Sequence, residues 1–539
     1  MSDELYRYLK IERDEEEDKL EMEKVDRLLF FGLILTFILV PILTRIHMTE
    51  YISPLITNTD ILDTGQKADV FTFYKYIALV ISTIVLSLLF LYKVVVLRYA
   101  IPKLKINIFL AVLFVFIILS AIFAPYKMIA LHGMYNRHDG TITYLCYLIL
   151  FFIAANIQYN VKMMRWVMYA LYPFIVINTV LGLLNFYGYD VLQLSWIKHL
   201  LYSNLPEGAK ISQGSRLLAT INHGNYVSGV SAVLTALFFT WALLDKNKIR
   251  SIVNLIMSLL SFAMLLSSLS VSGFLTLILI IPIVFLFIFK SLYKRKFVVT
   301  FATFLVGAVS IYVLMVNHNP KVWDETFGFF IKQNPFAKEQ ASSTYLESIN
   351  KAFKEKGFSH LFVPNQVHAE TNNQKTEEEY KLPELPESGI GPGSGRLYIW
   401  EKTFELIQQR PLFGYGLDTL PYFFPQDDPE KHANIETYTV IVDKPHNMYI
   451  GIAYGAGVIA LLAFVALIFN ITLSTIKHLI KNKLTNDEHI IFASVAIACF
   501  AYLIQALFND SIIGTAVIFW VLLGLLASFL IQHKQEKVG

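Results

Sequence analysis

Gly393-Ser394-Gly395-Arg396-Leu397-Tyr398-Ile399-Trp400 opens a helical pattern inside the one long polar segment of an otherwise apolar chain. The pattern runs from Arg396 to Arg410-Pro411, where proline stops it. Upstream, Asn365 to Pro392 carries Glu377-Glu378-Glu379 and Pro383-x-x-Pro386 and reads as a flexible linker, preceded by a helical tendency over Phe329 to Phe358. Downstream, Pro411-Leu-Phe-Gly414-Tyr-Gly416 reads as a tight turn, and Lys444-Pro445-His446-Asn447-Met448-Tyr449 leads into the next apolar run. Between Asn317 and Pro445 there are 13 Lys/Arg and 19 Asp/Glu, a net of −6 (13 − 19), and no cysteine.

On both sides of this segment the chain is built of runs long enough to cross the hydrocarbon of a bilayer. The first spans Leu28 to Ile46 and contains Pro41. Others centre near Val85, Phe114, Leu150, Ile175, Val233, Met257, Ile280, Val306, Leu461, Ala496 and Val521, which makes twelve, with Ser267 to Gly273 splitting one long stretch in two. Charge orients them, because short cytoplasmic connections hold the Lys and Arg. Alternate connections contain Lys93, Arg98, Lys103 and Lys105; Lys162 and Arg165; Lys246, Lys248 and Arg250; Lys290, Lys294, Arg295 and Lys296; and Lys477, Lys481 and Lys483. The connections between those are poorer. Both termini are therefore expected in the cytoplasm and the long loop outside. The expected layout is a tail over residues 1–27, nine spans over 28–316, the loop at 317–445, three spans over 446–532 and a tail at 533–539. The fold class is all-α and polytopic, with one large helical extracytoplasmic loop.

The chain has 539 residues, 55% hydrophobic and only 16% charged, where soluble domains carry about 25% charged residues. A formal charge of +3 gives no reason to expect nucleic acid as a partner. Cys146 and Cys499 both fall in apolar runs, so no disulfide framework is expected. The first 24 residues are strongly charged and lack a signal-peptide pattern.

Chemistry is expected where polar groups gather at the outer edge. Arg396 offers five fixed N–H donors, a geometry suited to phosphate, with Trp400 one turn further along the same face. The same spacing also suits a structural cation–π pair. Arg216 lies in Gly214-Ser-Arg216-Leu-Leu-Ala-Thr220-Ile-Asn222-His223-Gly-Asn225, before the sixth span, and singly it would read as an interface anchor. His446, at the mouth of the tenth span, is a base that works near neutral pH, or an interface residue. Asp443 is a nearby carboxylate that could orient it. Arg137, in Leu131-His-Gly133-Met-Tyr-Asn-Arg137-His-Asp-Gly140, is a further phosphate candidate. There is no Walker A loop, HExxH or CxxC, and no Asp-x-Asp in the outer loops, so charge neutralisation falls to arginines and no metal or cofactor is expected.

Three ordered motifs resemble the O-antigen ligase and polymerase superfamily of bacterial membrane glycosyltransferases. The family's arginine followed by G-T-x-x-N-x-N is similar to Arg216-Leu-Leu-Ala-Thr220-Ile-Asn222-His-Gly-Asn225. Its S-G-R-x-x-x-W helix and P-L-x-G-x-G turn match Ser394 to Trp400 and Pro411 to Gly416, and its H-N-x-Y matches His446-Asn447-Met-Tyr449. Ala219 stands where glycine is common, and His223 where the first asparagine is usual. The resemblance implies a GT-C-like enzyme of the bacterial cell membrane. It would transfer, by inversion and without metal, a saccharide from an undecaprenyl-diphosphate carrier to an acceptor hydroxyl at the extracytoplasmic face. Arg216 and Arg396 would bind the diphosphate and His446 take the acceptor proton, with Arg137, Trp400, Asn222, Asn225, Asn447 and Tyr449 around the substrate. Polymerase and ligase both fit, and a composition rich in Ile, Lys and Asn favours a polymerase of surface polysaccharide. A transporter is the rival class, but it should place ionisable groups mid-span. A peptidoglycan polymerase should rely on an acidic residue such as Glu401, Asp418 or Asp427.

Overall fold

A computed structural model describes residues 15–53, 65–203, 219–289, 294–331, 333–336, 386–436 and 440–535. Arg216, the linker over 365–385 and most of the 329–358 helical tendency lie outside the described residues, as do residues 1–14. Among those described, eleven helices are long and apolar enough to cross a membrane, where twelve spans were expected. The twelfth run forms the helix Thr141–Ala155, whose 15 residues extend about 22 Å at about 1.5 Å per residue, short of a hydrocarbon core of about 30 Å. Eleven of its residues are buried, so it stands inside the bundle.

The chain enters through α1 (Glu15–Ile42), makes a hairpin of β1 (His47–Tyr51) and β2 (Gly65–Asp69), and returns through α2 (Phe73–Val95). α3 (Lys105–Phe123), the short α4 (Lys127–His132) and the embedded α5 (Thr141–Ala155) follow. The next span is broken into α6 (Val161–Tyr169) and α7 (Tyr172–Phe186), with Pro173 in the first turn of the second piece. A short α8 (Ser195–Tyr202) precedes α9 (Gly224–Leu244), the most central span, whose apolar window is 100% buried. Small residues explain that position: Ser228, Gly229, Ser231, Ala232 and Ala236 let neighbours approach closely. The hydroxyls of Ser231, Thr235 and Thr240 bond back to the carbonyls of Val227, Ser231 and Ala236, which satisfies them without water.

α10 (Lys248–Ser267) and α11 (Val271–Ile288) divide where the sequence places the split. Leu269 takes φ 48°, Ser267 and Ser268 bond to the carbonyls of Met264 and Leu265, and the Gly273 N–H donates to Ser228 Oγ at 3.0 Å. α12 (Lys294–His318) is peripheral, with only 11% of its apolar window buried. α13 (Lys321–Asp324) begins the polar loop, which continues in α14 (Arg396–Gln409) and α15 (Glu430–Ile435).

The tenth apolar run divides at Gly457 into α16 (Met448–Ala456) and the long span α17 (Val458–Lys481), so the crossing starts at Val458, twelve residues beyond His446. Gly457 has φ 89°, and a Cβ there would collide with the carbonyl of Leu412. Backbone hydrogen bonds lock the Pro411-to-Gly416 turn onto this break: Val458 N–H to Pro411 O, Tyr415 N–H to Tyr454 O and Gly416 N–H to Gly455 O. α14 packs on α16 through Tyr398, Ile399, Leu406, Tyr415, Ile450 and Tyr454, a small core separate from that of the spans. α18 (Asp487–Gln505) and α19 (Ile513–Gln535) complete the bundle, with Gly524 of α19 against the backbone of α5 at Phe151.

The spans are less free of charge than the sequence suggests. At the end of the bundle remote from α14, Lys93 Nζ lies 2.6 Å from Asp26 and 2.8 Å from the carbonyl of Asn156, just past the C-terminus of α5. Lys75, fully buried near the other end, donates to the carbonyl of Thr220 at 2.5 Å.

Candidate active site

His446 and Arg396 are brought to the same end of the bundle by different means. Gly395, at φ 79° with the carbonyl of Asn434 only 2.6 Å from where a Cβ would stand, turns the chain so that Arg396 is the first residue of α14. Its guanidinium is half-buried and makes no hydrogen bond or ion pair among the described residues. Burial pulls it below its ordinary value, against the opposing influence of Asp510 and Tyr226. One turn on, Trp400 is not stacked on Arg396. Its indole N–H donates to the carbonyl of Pro445 at 2.7 Å and so fixes α14 to the residue preceding His446.

His446 takes φ 52°, a left-handed conformation that costs of order 1–3 kcal/mol for a residue with a Cβ. Its Nδ1 lies 3.2 Å from Asp510, in the connection between α18 and α19. Asp510 also accepts the Asn447 N–H at 3.2 Å. Burial would raise the Asp510 carboxyl, but hydrogen bonding and charge from His446, with help from Lys444 and Arg137, hold it below its usual range. The carboxylate that orients His446 is therefore Asp510. Asp443, the nearby candidate in sequence, is paired with Arg137 instead.

His223, the N-cap of α9, shares this neighbourhood. Burial lowers it first, His446 and Arg396 act in the same direction, and Asp443 opposes. It accepts the Asn225 N–H at 3.2 Å through Nδ1.

Arg137 is only 4% exposed and binds Asp418 at 2.8 Å through Nε as well as Asp443. Both carboxylates raise it further despite burial. Lys444 pairs with Asp139 at 3.0 Å and is raised by Asp139 and Asp418, again against burial. These two cations are committed to protein carboxylates, whereas Arg396 is not.

The asparagines and the tyrosine are anchored to the protein. Asn447 caps α16, accepting the N–H groups of Tyr449 and Ile450 at 3.0 and 3.2 Å, and donates to Leu507 O. Tyr449 donates to Leu503 O at 3.0 Å, and Asn225 accepts from Ser270 Oγ at 2.7 Å. Asn222 reaches the carbonyl of Asn136, in the Arg137 loop, at 3.5 Å. A small cavity lies under the His446 loop, walled by Asp139, Asp418, Asp443, Lys444, Asp510 and Tyr144.

Sequence reasoning missed Asp510 and Asp139, and singled out Asp418 only as an acidic residue that a peptidoglycan polymerase would rely on. Asn509-Asp510 looks like an ordinary turn between two spans. Asp139 lies two residues from Arg137 in a stretch already singled out, and Asp418 lies two residues beyond the Pro411-to-Gly416 turn, at φ 62°.

Such a layout defines a polytopic helical membrane protein with a histidine–carboxylate pair and an uncommitted arginine at one end of its bundle. Residues 256–465 match the O-antigen ligase family, and the matched region includes Arg396, Trp400 and His446. A Rickettsia conorii protein provisionally named a polysaccharide ligase is 30% identical over 105 residues, which is 20% of this chain and 23% of that relative. Asp510 and Arg137 lie outside the family match.

Proposed function

We propose that the chain is a membrane glycosyltransferase. It moves a saccharide from an undecaprenyl-diphosphate carrier to an acceptor hydroxyl on the extracytoplasmic side. The carrying observation is the His446–Asp510 pair at 3.2 Å at the same end of the bundle as Arg396, which makes no ion pair among the described residues. A protonated Nδ1 donating to Asp510 leaves Nε2 as the acceptor of a proton.

In the reaction, the acceptor oxygen attacks the anomeric carbon from the face opposite the diphosphate, which inverts the centre. The acceptor proton passes to His446 as the new C–O bond forms. The bond from the anomeric carbon to phosphate breaks, and its electron pair leaves with undecaprenyl diphosphate. Arg396, with Arg216, neutralises the charge that grows on that leaving group, so the chemistry needs no metal. Trp400 and Asp510 act as positioning residues for His446, and Arg137 holds the loops beneath it together.

The product is surface polysaccharide lengthened on its carrier, a polymerase reading. A ligase, transferring finished glycan to another acceptor, is the second reading, and the family match and the name of the Rickettsia relative favour it.

Complementation of a deletion strain with wild type, Arg216→Ala, Arg396→Ala or His446→Ala, at matched expression, tests both. His446→Ala should lose roughly 10²–10⁴-fold of product, the range of a lost acid–base group, and each arginine variant roughly 10²–10³-fold, the range of a lost electrostatic donor. Short lipid-linked units accumulate if the enzyme is a polymerase; full-length chains remain on the carrier if it is a ligase. Normal glycan in all three variants overturns the mechanism.

A further inference from the structure

At the end of the bundle remote from His446, a groove of about 500 Å³ opens between α3, α17 and α19. Its rim carries Lys103, Lys105 and Lys534, and its wall is apolar, with Ile106, Ile471 and Ile531 among the lining side chains. All three lysines are exposed, and none makes an ion pair among the described residues. The other observation is independent of charge. Asn470 and Ser474, one turn apart on the span α17, both line the groove, and neither side chain makes a hydrogen bond among the described residues. Polar side chains directed from a span into a membrane-level groove are costly unless they meet polar atoms.

We propose that this groove is a binding site for an anionic phospholipid of the adjacent leaflet. The three ammonium groups take the phosphate. Ser474 and Asn470, placed deeper along α17, meet the glycerol-ester oxygens, and the apolar wall takes an acyl chain. Cationic side chains at a membrane surface attract anionic lipid, and a basic pocket between spans concentrates that attraction on one headgroup. A zwitterionic headgroup offers the same phosphate but adds a cation that the three lysines repel. The site is separate from the His446 end, so it stands or falls independently of the proposed activity.

The test uses the full chain purified in detergent and titrated with phosphatidylglycerol or phosphatidylcholine of identical acyl chains, with bound lipid counted by native mass spectrometry. Wild type should retain phosphatidylglycerol about tenfold or more in preference to phosphatidylcholine. The triple variant Lys103→Gln/Lys105→Gln/Lys534→Gln should lose that preference. Ser474→Leu, which leaves every charge in place, should weaken binding of the same lipid several-fold. A control triple at exposed lysines of the same end, Lys162→Gln/Lys246→Gln/Lys248→Gln, should bind as wild type does. Equal retention of the two lipids, an unchanged groove triple, or an equal loss in the control triple overturns the proposal. So does displacement of the lipid by millimolar inorganic phosphate alone, which would make the groove a phosphate site.

Discussion

His446 is held at φ 52° while its ring meets Asp510 at 3.2 Å and the residue before it accepts the indole N–H of Trp400. Three constraints on one side chain give predictions at that scale. Asp510→Asn removes a buried carboxylate whose folded-state pKa lies below the ordinary value. Its stabilisation is therefore complete above the unfolded value of about 3.9 and is lost as pH falls through the folded one. Thermal unfolding in detergent should show the variant melting below wild type at pH 7, with the gap closing below about pH 4; a gap independent of pH would mean that the ionised carboxylate is not what stabilises the fold. Trp400→Phe keeps a ring but loses the bond to Pro445, worth about 1 kcal/mol. Glycan output should fall at unchanged expression, and full output would remove this bond from the positioning of His446.

Gly457 shows how an element acquires a role that hydropathy hides. The run from Met448 to Lys481 is apolar enough to read as one long span, yet α16 ends at Ala456 and α17 starts at Val458. The break arises because Gly457 adopts φ 89° and three backbone hydrogen bonds bind the neighbouring turn to it, an arrangement formed by residues about 40 positions apart and silent in local periodicity. Gly457→Ala should destabilise by about 1–3 kcal/mol or more, since a strained backbone and a collision with the Leu412 carbonyl add together. Melting in detergent measures it, and a variant as stable as wild type would show that the turn relaxes freely. The same reasoning explains which parts of the site were legible. Arg396 and His446 stand out because each lies in a compact motif at the edge of a polar segment. Asp510 does not, because 63 residues separate it from Asn447, and the Arg137–Asp418 pair joins positions 281 residues apart.

For the molecule as a whole, the apolar runs located the spans because burial in hydrocarbon leaves the backbone no alternative to the helix. The exception was the fifth helix, too short to cross unaided. The charge asymmetry of the connections leads us to expect the loop end outside. Cys146 and Cys499 are both buried, so single added cysteines test this against a quiet background. With a membrane-impermeant maleimide, Glu387→Cys should label in intact cells and Lys246→Cys only after permeabilisation; the reverse pattern would invert the whole topology. The short helix has a mechanical consequence. Its lower end is pinned where Lys93 holds the Asn156 carbonyl, and its upper end delivers the loop that carries Arg137 and Asp139. It thus serves as a ruler. One inserted turn would lift that loop by about 5.4 Å, further than any ion pair stretches, and would part Arg137 from both of its aspartates without altering a single residue of the charged layer.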